Sequence, residues 1–316
     1  MHRILITGGT GFVGSHLLRH LRSSTSNLVI IASETPSSPE AGVEYYELDI
    51  RNAGDVQSAI RQIKPNEVYH LAGISAVGLA WANPRLTFEV NVEGTYNVLE
   101  ATTGLPSPPR ILNVSTAQVY AASDAPLSES SPLAPANPYA ASKAMAELLE
   151  VSFRKACAGG IITARSFNHT GPGQLTSFVL PSFAQQFAEI EAGMRPPKLA
   201  VGNIEVKRDF TDVRDVVRAY SELLSKGRPG QVYNVCSGAA TLLSDVVKQF
   251  QALCRTVVTV ETDPACLRAG DISRIVGDPS KIKKEIGWDI RIPLSQTLRD
   301  LLDYWQGKTK SQALAP

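Results

Sequence analysis

The sequence contains few cysteines and arranges none of them as metal ligands. Cys157, Cys236, Cys254 and Cys266 form no CxxC pair and have no histidine partners at zinc-site spacing. This pattern excludes a zinc finger and a disulfide-rich secreted scaffold, and we expect no metal site. Four scattered thiols are typical of small core residues in a protein of the reducing cytoplasm, which is the predicted location.

Long apolar runs and an excess of one charge are also missing. No segment approaches the roughly 20 residues of a membrane span, and the opening MHRILITGGTGFVG lacks the pattern of a signal peptide. The 31 basic and 30 acidic side chains leave a formal net charge of +1. We therefore expect no membrane partner and no nucleic-acid partner, and an anionic ligand must be bound by a local site.

The chain does contain a regular alternation of short apolar runs and amphipathic segments. Buried parallel strands are predicted at RILIT, LVIIA, EVYHLA, RILNVS, GIITARS and QVYNV. Helices are expected near residues 12–23, 53–63, 84–104, 138–157 and 212–226. This alternation predicts an α/β fold with a Rossmann-type doubly wound parallel sheet.

The alternation loosens after residue 168, where turns rich in Gly and Pro appear at HTGPGQ and GMRPPK. We predict a dinucleotide-binding domain, a smaller α/β substrate-binding lobe, and a frayed C-terminal tail that has little to bury. Their predicted extents are 1–168 (rejoined by about 213–237), 169–212 with 238–305, and 306–316.

Three glycines follow the first predicted strand at the spacing GxxGxxG. Gly8, Gly11 and Gly14 lie between RILIT and an amphipathic segment. Such glycines allow a tight turn, let the backbone approach a pyrophosphate, and present the N–H groups of the next helix to the phosphates. Because a strand precedes them and a helix follows, a dinucleotide site is favoured over a glycine turn without a ligand.

A tyrosine and a lysine four residues apart occupy the segment NPYAASKAMAELLEV. Pro138 suits the first turn of a helix, so Tyr139 and Lys143 share one helix face. A phenol with a pKa near 10 is a poor acid–base group at neutral pH unless a nearby ammonium favours its anion. Lys143 can supply this ammonium. A shift of about three pH units in the pKa of Tyr139 would correspond to roughly 4 kcal/mol, which is within reach of a close, partly desolvated charge together with the cofactor. A Tyr–Lys pair is common by chance, so this prediction depends also on the glycine motif and on the VST that ends an upstream strand.

The glycine spacing and the trio of Thr116, Tyr139 and Lys143 resemble the extended branch of the short-chain dehydrogenase/reductase superfamily. The resemblance implies that Thr116 hydrogen-bonds the reacting oxygen and that Tyr139 is the acid/base. Lys143 is implied to modulate the pKa of Tyr139 and to bind the cofactor ribose. Asn91 matches a position that supports this lysine, and Tyr120 matches a packing position.

The same resemblance implies cofactor contacts outside the trio. Ser33 stands near the position where an acid would favour the free 2′-hydroxyl of NAD(H); Glu34 follows it, and no arginine is adjacent. We therefore expect NADP(H) by a slight preference, with NAD(H) as the alternative. Asp49 has a second interpretation as a residue at a helix N-terminus, and His70 is predicted to be structural. Besides the motif glycines, Tyr139 and Lys143, the implied cofactor contacts are Phe12, Val13, Ser33, Asp49, Ile50, Leu71, Ala72 and Gly73.

Three later stretches resemble members of the branch that modify nucleotide sugars. The resemblance spans residues 3–305 and implies substrate contacts by Asn168, Arg208, Arg268 and Asp271, with the arginines binding the diphosphate. Within the branch, the GDP-4-keto-6-deoxy-D-mannose reductases, which make GDP-D-rhamnose, are the most similar group. A GDP-sugar substrate and a homodimer are expected from this resemblance alone. The three stretches are RSFNHTGPGQ, KRDFTDVRDV and LRAGDISRIVGDPSKIKKEIGW.

Four functions compete for this site. A 4,6-dehydratase also needs carboxylates beside the hydroxyl residue, but Ala117 and Gln118 follow Thr116, so dehydration is disfavoured. The intact trio argues against a non-catalytic NAD(P)-binding sensor. A nucleotide-sugar 4-epimerase with retained NAD stays open, because it needs no second acid–base group. We predict NAD(P)H-dependent reduction of the C4 ketone of GDP-4-keto-6-deoxy-D-mannose to GDP-D-rhamnose.

Overall fold

A computed structural model describes residues 2–24, 27–34, 42–157, 160–267 and 272–313. The strands are β1 (Arg3–Thr7), β2 (Leu28–Ser33), β3 (Val43–Glu47), β4 (Glu67–His70), β5 (Arg110–Thr116), β6 (Ile161–Ser166), β7 (Asn168–Thr170), β8 (Lys198–Val201), β9 (Lys207–Arg208), β10 (Phe210–Asp212), β11 (Val232–Val235), β12 (Thr241–Leu242), β13 (Thr259–Thr262) and β14 (Arg274–Ile275). The helices are α1 (Phe12–Ser24), α2 (Ala53–Ile63), α3 (Val77–Ala82), α4 (Pro84–Phe88), α5 (Gly94–Thr103), α6 (Pro138–Phe153), α7 (Val179–Glu191), α8 (Val213–Lys226), α9 (Leu243–Leu253), α10 (Ser280–Ile286) and α11 (Leu294–Ala313).

The centre of the fold is a seven-stranded sheet with the order β11–β6–β5–β4–β1–β2–β3. All its strand pairs are parallel. The strand order reverses between β1 and β4, and ligands of open α/β sheets bind at the carboxyl edge of such a reversal. The predicted α/β, Rossmann-type fold class is confirmed.

Helices bury both faces of this sheet. Neighbouring residues of a strand point to opposite faces, so Ile4 packs into the core with Leu17 of α1 and Tyr220 of α8. Leu5 packs into the other core with Ile60 of α2. Strands buried on both sides read as continuous apolar runs, which explains why RILIT and LVIIA were recognisable from sequence.

A separate hydrophobic core lies in the later part of the chain. It joins α7, α9 and α11 with β8, through residues such as Phe187, Phe250, Leu298 and Val201. Short sheets flank it, namely β10–β7, β12–β9–β14 and β13–β8. The predicted domain boundaries at 168, 213–237 and 305 stay a prediction.

Two local predictions are wrong. Residues 306–313 are not frayed, because α11 continues to Ala313 and Thr309 is buried. The helix predicted over 84–104 is interrupted by a π-helical turn at Glu89–Glu93. A π-turn inserts an extra residue into the helix and is often found at functional sites.

Candidate active site

The glycine turn connects β1 to α1 and lies against the end of β4. Gly8 has a φ of 68°, and a Cβ there would lie 2.8 Å from the Cα of Ala72. The N–H of Gly11 donates to the carbonyl of Gly8 at 3.1 Å. At Gly14 a Cβ would lie 2.5 Å from the carbonyl oxygen of Gly9. These close approaches leave the N-terminus of α1 bare of side chains at Gly8 and Gly11, which fits a pyrophosphate.

The first helical residues join this turn to the RSFNHTGPGQ segment. Phe12 and Val13 are half-buried against the core. The Phe12 ring stacks on His169 with centroids 6.5 Å apart and meets His16 edge-on at 5.2 Å. One of the motifs assigned to substrate binding therefore lies beside the cofactor motif.

At the end of β2, two hydroxyls and an ion-pair network mark the predicted adenosine region. Ser33 Oγ is 2.7 Å from Thr10 Oγ1. Arg51 contacts Asp49 at 2.6 Å and Glu34 at 3.0 Å, and its hydrogen bonds lower the pKa of Asp49. Sequence reasoning missed Arg51, because the fold and not the local sequence brings it to Glu34. The fourth position of LDIR, two residues after Asp49, was the available signal.

The capping interpretation of Asp49 is wrong. The N-cap of α2 is Asn52, whose Oδ1 accepts from the N–H groups of Gly54 and Asp55. Ile50 is buried, and its carbonyl accepts from Asn97 Nδ2 at 2.9 Å. This contact fixes the backbone next to Asp49.

The segment after β4 runs along the same edge of the sheet. The N–H of Leu71 donates to the carbonyl of Thr7 at 3.2 Å, and that of Ala72 to Thr7 Oγ1 at 3.4 Å. Gly73 is exposed and precedes Ile74, whose N–H donates to Asn91 Oδ1 at 2.8 Å. The predicted contacts Leu71, Ala72 and Gly73 thus follow one another away from the glycine turn.

Asn91 lies in the π-helical turn and ties this segment to α6. Its Nδ2 donates to the carbonyl of Ile74 at 3.0 Å and to Ser142 Oγ at 2.9 Å. Ser142 Oγ in turn donates to the carbonyl of Tyr139 at 2.8 Å. This fully bonded, buried amide holds the start of α6 in register with the strand ends.

The structure brings Thr116, Tyr139 and Lys143 together and buries all three, at 7%, 8% and 6% exposure. Thr116 ends β5, while Tyr139 and Lys143 occupy successive turns of α6. Asn137 caps this helix, because its Oδ1 accepts from the N–H of Ala140 at 2.9 Å. The predicted trio therefore forms one compact polar group at the carboxyl edge of the sheet.

Burial dominates the electrostatics of the trio. It raises the pKa of Tyr139, although a hydrogen bond from Thr116 opposes the shift. Burial lowers the pKa of Lys143 to about 8, against the attraction of Glu150 and Glu147. Lys143 Nζ donates to the carbonyl of Val114 at 2.9 Å. The lowering of the phenol pKa by Lys143 together with the cofactor stays a prediction.

Two carboxylates that sequence reasoning missed lie on the same helix face behind Lys143. Glu147 pairs with Arg165 at 2.6 Å and accepts from Ser115. Glu150 accepts from Asn113 and Thr163. Their spacing of four and seven residues from Lys143 was the available signal.

The predicted substrate residues are only partly described. Asn168 in β7 pairs with Phe210 in β10, so two of the motifs form a parallel strand pair. Arg208 is buried in β9, and its Nη1 donates to the carbonyl of Lys207 at 3.0 Å. Arg268 and Asp271 lie outside the described residues.

Two polar residues close to the trio have structural contacts. His70 lies between the hydroxyls of Thr7 and Thr95, at 2.7 and 3.0 Å, and burial lowers its pKa to about 3. Tyr120 donates to Asn234 Oδ1 at 2.6 Å, and burial raises its pKa to about 12. The hydrogen-bond partners of both groups are thus structural residues, and Tyr139 is not among them.

Among the described residues, no group of three or more His, Cys, Asp or Glu side chains could hold a metal ion. Within the same ranges, no helix is long and apolar enough to cross a membrane.

The Rossmann-type sheet, the glycine turn and the trio define an NAD(P)-dependent oxidoreductase of the short-chain dehydrogenase/reductase class. The chain belongs to the family whose model is described as GDP-mannose 4,6 dehydratase, which matches residues 5–301. It is 34% identical to the GDP-6-deoxy-D-mannose reductase of Pseudomonas aeruginosa, over 98% of this chain and 99% of that protein. The predicted family is confirmed.

Two solved structures are similar to this chain over almost its whole length. The structure of RMD from Pseudomonas aeruginosa complexed with NADPH has a TM-score of 0.86 and 32% identity, and covers 98% of this chain and 100% of that one. The UDP-glucose 4-epimerase of Thermus thermophilus in complex with NAD has a TM-score of 0.84 and 27% identity, over 96% and 99% of the two chains. An NAD(P) cofactor is thus supported.

Proposed function

We propose that this protein catalyses the NAD(P)H-dependent reduction of the C4 ketone of GDP-4-keto-6-deoxy-D-mannose to GDP-D-rhamnose. The observation that carries the proposal is a site with Thr116, Tyr139 and Lys143 together but without a carboxylate at positions 117 and 118. Such a site can protonate an oxygen but cannot remove a second proton from carbon. The similarity to a reductase over almost the whole chain supports the same reaction.

The protein's residues have distinct tasks in this proposal. Thr116 and Tyr139 donate hydrogen bonds to the C4 oxygen, and Tyr139 transfers its proton as the oxygen gains negative charge. The ammonium of Lys143, one helical turn away, favours the resulting phenolate and binds the cofactor ribose. When bound, the reduced nicotinamide supplies the hydride for C4.

The cofactor is proposed to lie along the carboxyl edge from β2 to β4. The glycine turn with Phe12 and Val13 would hold the pyrophosphate, and Asp49 with Ile50 would contact the adenine. The segment 71–73 would line the nicotinamide half. The support is that these residues follow one another along a single edge of the sheet at its strand-order reversal.

NADP(H) is proposed as the preferred form. Ser33 offers a hydroxyl where an acid would repel a 2′-phosphate, and Arg51 brings a guanidinium to the adjacent Glu34. Glu34 and Asp49 both bind Arg51, so part of its charge is already neutralised. For this reason the proposed preference over NAD(H) is small.

The substrate is proposed to contact Asn168, Arg208, Arg268 and Asp271, in a lobe formed by 169–212 and 238–305. A neutral protein must bind two phosphate charges locally, and the planar guanidinium of arginine can do so with two parallel hydrogen bonds. The protein is further proposed to act in the cytoplasm.

A homodimer is proposed through the outer face of α6. Met145, Leu148 and Val151 on that face are 45%, 70% and 54% exposed. Three apolar side chains at helical spacing form a stripe that a second copy of the chain would cover.

Purified protein incubated with GDP-4-keto-6-deoxy-D-mannose tests the reaction. We expect stoichiometric loss of NADPH or NADH absorbance, and absence of any loss with both cofactors would reject the proposal. Interconversion of UDP-hexoses without added cofactor would instead indicate the 4-epimerase.

Tyr139→Phe should keep cofactor affinity within about twofold while losing more than about 100-fold in kcat, because the proton donor is gone. Tyr69→Phe, another buried tyrosine, serves as the control.

A further inference from the structure

Two amide side chains meet beside the catalytic trio. Gln118 lies in the turn Ala117–Val119 that follows Thr116, and Asn137 lies two residues before Tyr139. Asn137 Nδ2 donates to Gln118 Oε1 at 3.0 Å. This contact joins the end of β5 to the start of α6, the two elements that carry the reacting hydroxyls.

The helix cap fixes the orientation of both amides. Asn137 Oδ1 already accepts from the N–H of Ala140, so its Nδ2 must be the atom that faces Gln118. A donor requires an acceptor, and Gln118 must therefore present Oε1 to Asn137. Its Nε2 then points away from Asn137 as a donor. Within the part of the chain that the structure describes, no group accepts from this Nε2.

The position of this donor matters because Gln118 is close to Thr116. The N–H of Gln118 donates to Thr116 Oγ1 at 3.3 Å, so the turn folds around the hydroxyl that would hold the reacting oxygen. Gln118 is only half-buried, which leaves its amide accessible to a ligand. A sugar bound with its carbonyl at Thr116 and Tyr139 would place its neighbouring oxygens within reach of this side chain.

We propose, building on the proposed function, that Gln118 binds the sugar of the nucleotide-sugar substrate. Its Nε2 donates to an acceptor oxygen next to the reacting carbonyl, such as a vicinal hydroxyl. Asn137 is a positioning residue that keeps the amide of Gln118 in the donating orientation. The helix cap of α6 thereby also determines which hydrogen-bonding group the sugar meets.

Calorimetric titration with two stable ligands, GDP and GDP-mannose, isolates the contribution of the sugar. Gln118→Met removes the amide and keeps nearly the same shape. Asn137→Ser keeps a capping oxygen but removes the donor that orients Gln118. Asn52→Ser makes the same exchange at the N-cap of α2, far along the chain from the trio, and is the matched control.

We expect the ratio of the dissociation constants for GDP and GDP-mannose to fall about tenfold in Gln118→Met and several-fold in Asn137→Ser. GDP affinity and Tm should stay near those of the wild type. The double variant should lose no more than the larger single loss, because both changes act through one contact. With the ketosugar, the loss should appear in KM more than in kcat.

An unchanged ratio in Gln118→Met would overturn the inference, as would equal effects of Asn137→Ser and Asn52→Ser. A wild type that binds GDP-mannose no more tightly than GDP would also overturn it. A wild type that binds neither ligand contradicts the proposed GDP-sugar function itself, and this is seen before any variant is made.

Discussion

Replacing Glu150 by Gln should remove a loss of stability that the natural sequence undergoes as the pH rises. Glu150 is 1% exposed and lies on α6 beneath the site. Burial raises its pKa from 4.5 to about 7, although hydrogen bonds from Thr163 and Asn113 oppose the shift. The carboxylate therefore ionises inside the protein only at a cost in folding free energy.

The sign and the size of the effect follow from linkage. A carboxyl group whose pKa is raised in the folded state stabilises the fold below its unfolded pKa and loses this contribution as the pH rises through the folded value. A rise from 4.5 to about 7 corresponds to about 3 kcal/mol in the free energy of unfolding. This is an upper value, because ionised Glu150 also attracts the buried ammonium of Lys143.

Urea unfolding followed by circular dichroism at pH 4.5, 6, 7 and 8 (about ±0.1) measures the effect. The variant should gain up to about 3 kcal/mol relative to the natural protein across this range. The altered hydrogen bonds to Thr163 and Asn113 add only a constant offset. The exposed Glu93→Gln controls for the loss of one charge. A difference that does not vary with pH would refute the reasoning, because it would mean that burial does not disfavour the ionised form.

Three further predictions concern other charged and apolar groups. Glu147→Gln should lower the free energy of unfolding at pH 7 by about 3 kcal/mol in the same assay, because it leaves the guanidinium of Arg165 buried without its carboxylate. Arg51→Ala should weaken NADPH binding about tenfold and NADH binding less than about twofold in fluorescence titrations, because only NADPH carries the 2′-phosphate; the exposed Arg61→Ala should change neither. Leu148→Glu should convert a dimer into a monomer in light scattering without lowering Tm by more than about 2 °C, because Leu148 is 70% exposed in the single chain.

Site residues could be predicted from the sequence wherever the residues that form the signal are close together in the chain. Gly8, Gly11 and Gly14 could be recognised because the strand and helix around them are adjacent in the chain. Tyr139 and Lys143 share a helix face by spacing alone. The prediction of these residues depends on periodicity and turn chemistry, and both can be read directly from a single sequence.

What could not be predicted depends on packing between distant segments. Arg51 reaches Glu34 across 17 positions because β2 and β3 run side by side. The pKa of Lys143 is governed by burial, which no spacing reveals. The tail was predicted to fray because GKTKSQALAP looks polar, yet Thr309 is buried at the end of a helix whose earlier turns join the second core. In each case tertiary contact overrides the local pattern.

The residues of one short turn explain why membership of this family does not determine the reaction. The family model is described by a dehydratase activity, yet Ala117 offers no functional atom and is 3% exposed, so a carboxylate there would have to be buried. Gln118→Glu would restore a single carboxylate. Asn137 Nδ2 would then donate to it and favour its ionised form, which weakens it as a base. The variant should therefore not gain dehydration of GDP-mannose, and formation of the 4-keto product would show that the cap contact does not control this position.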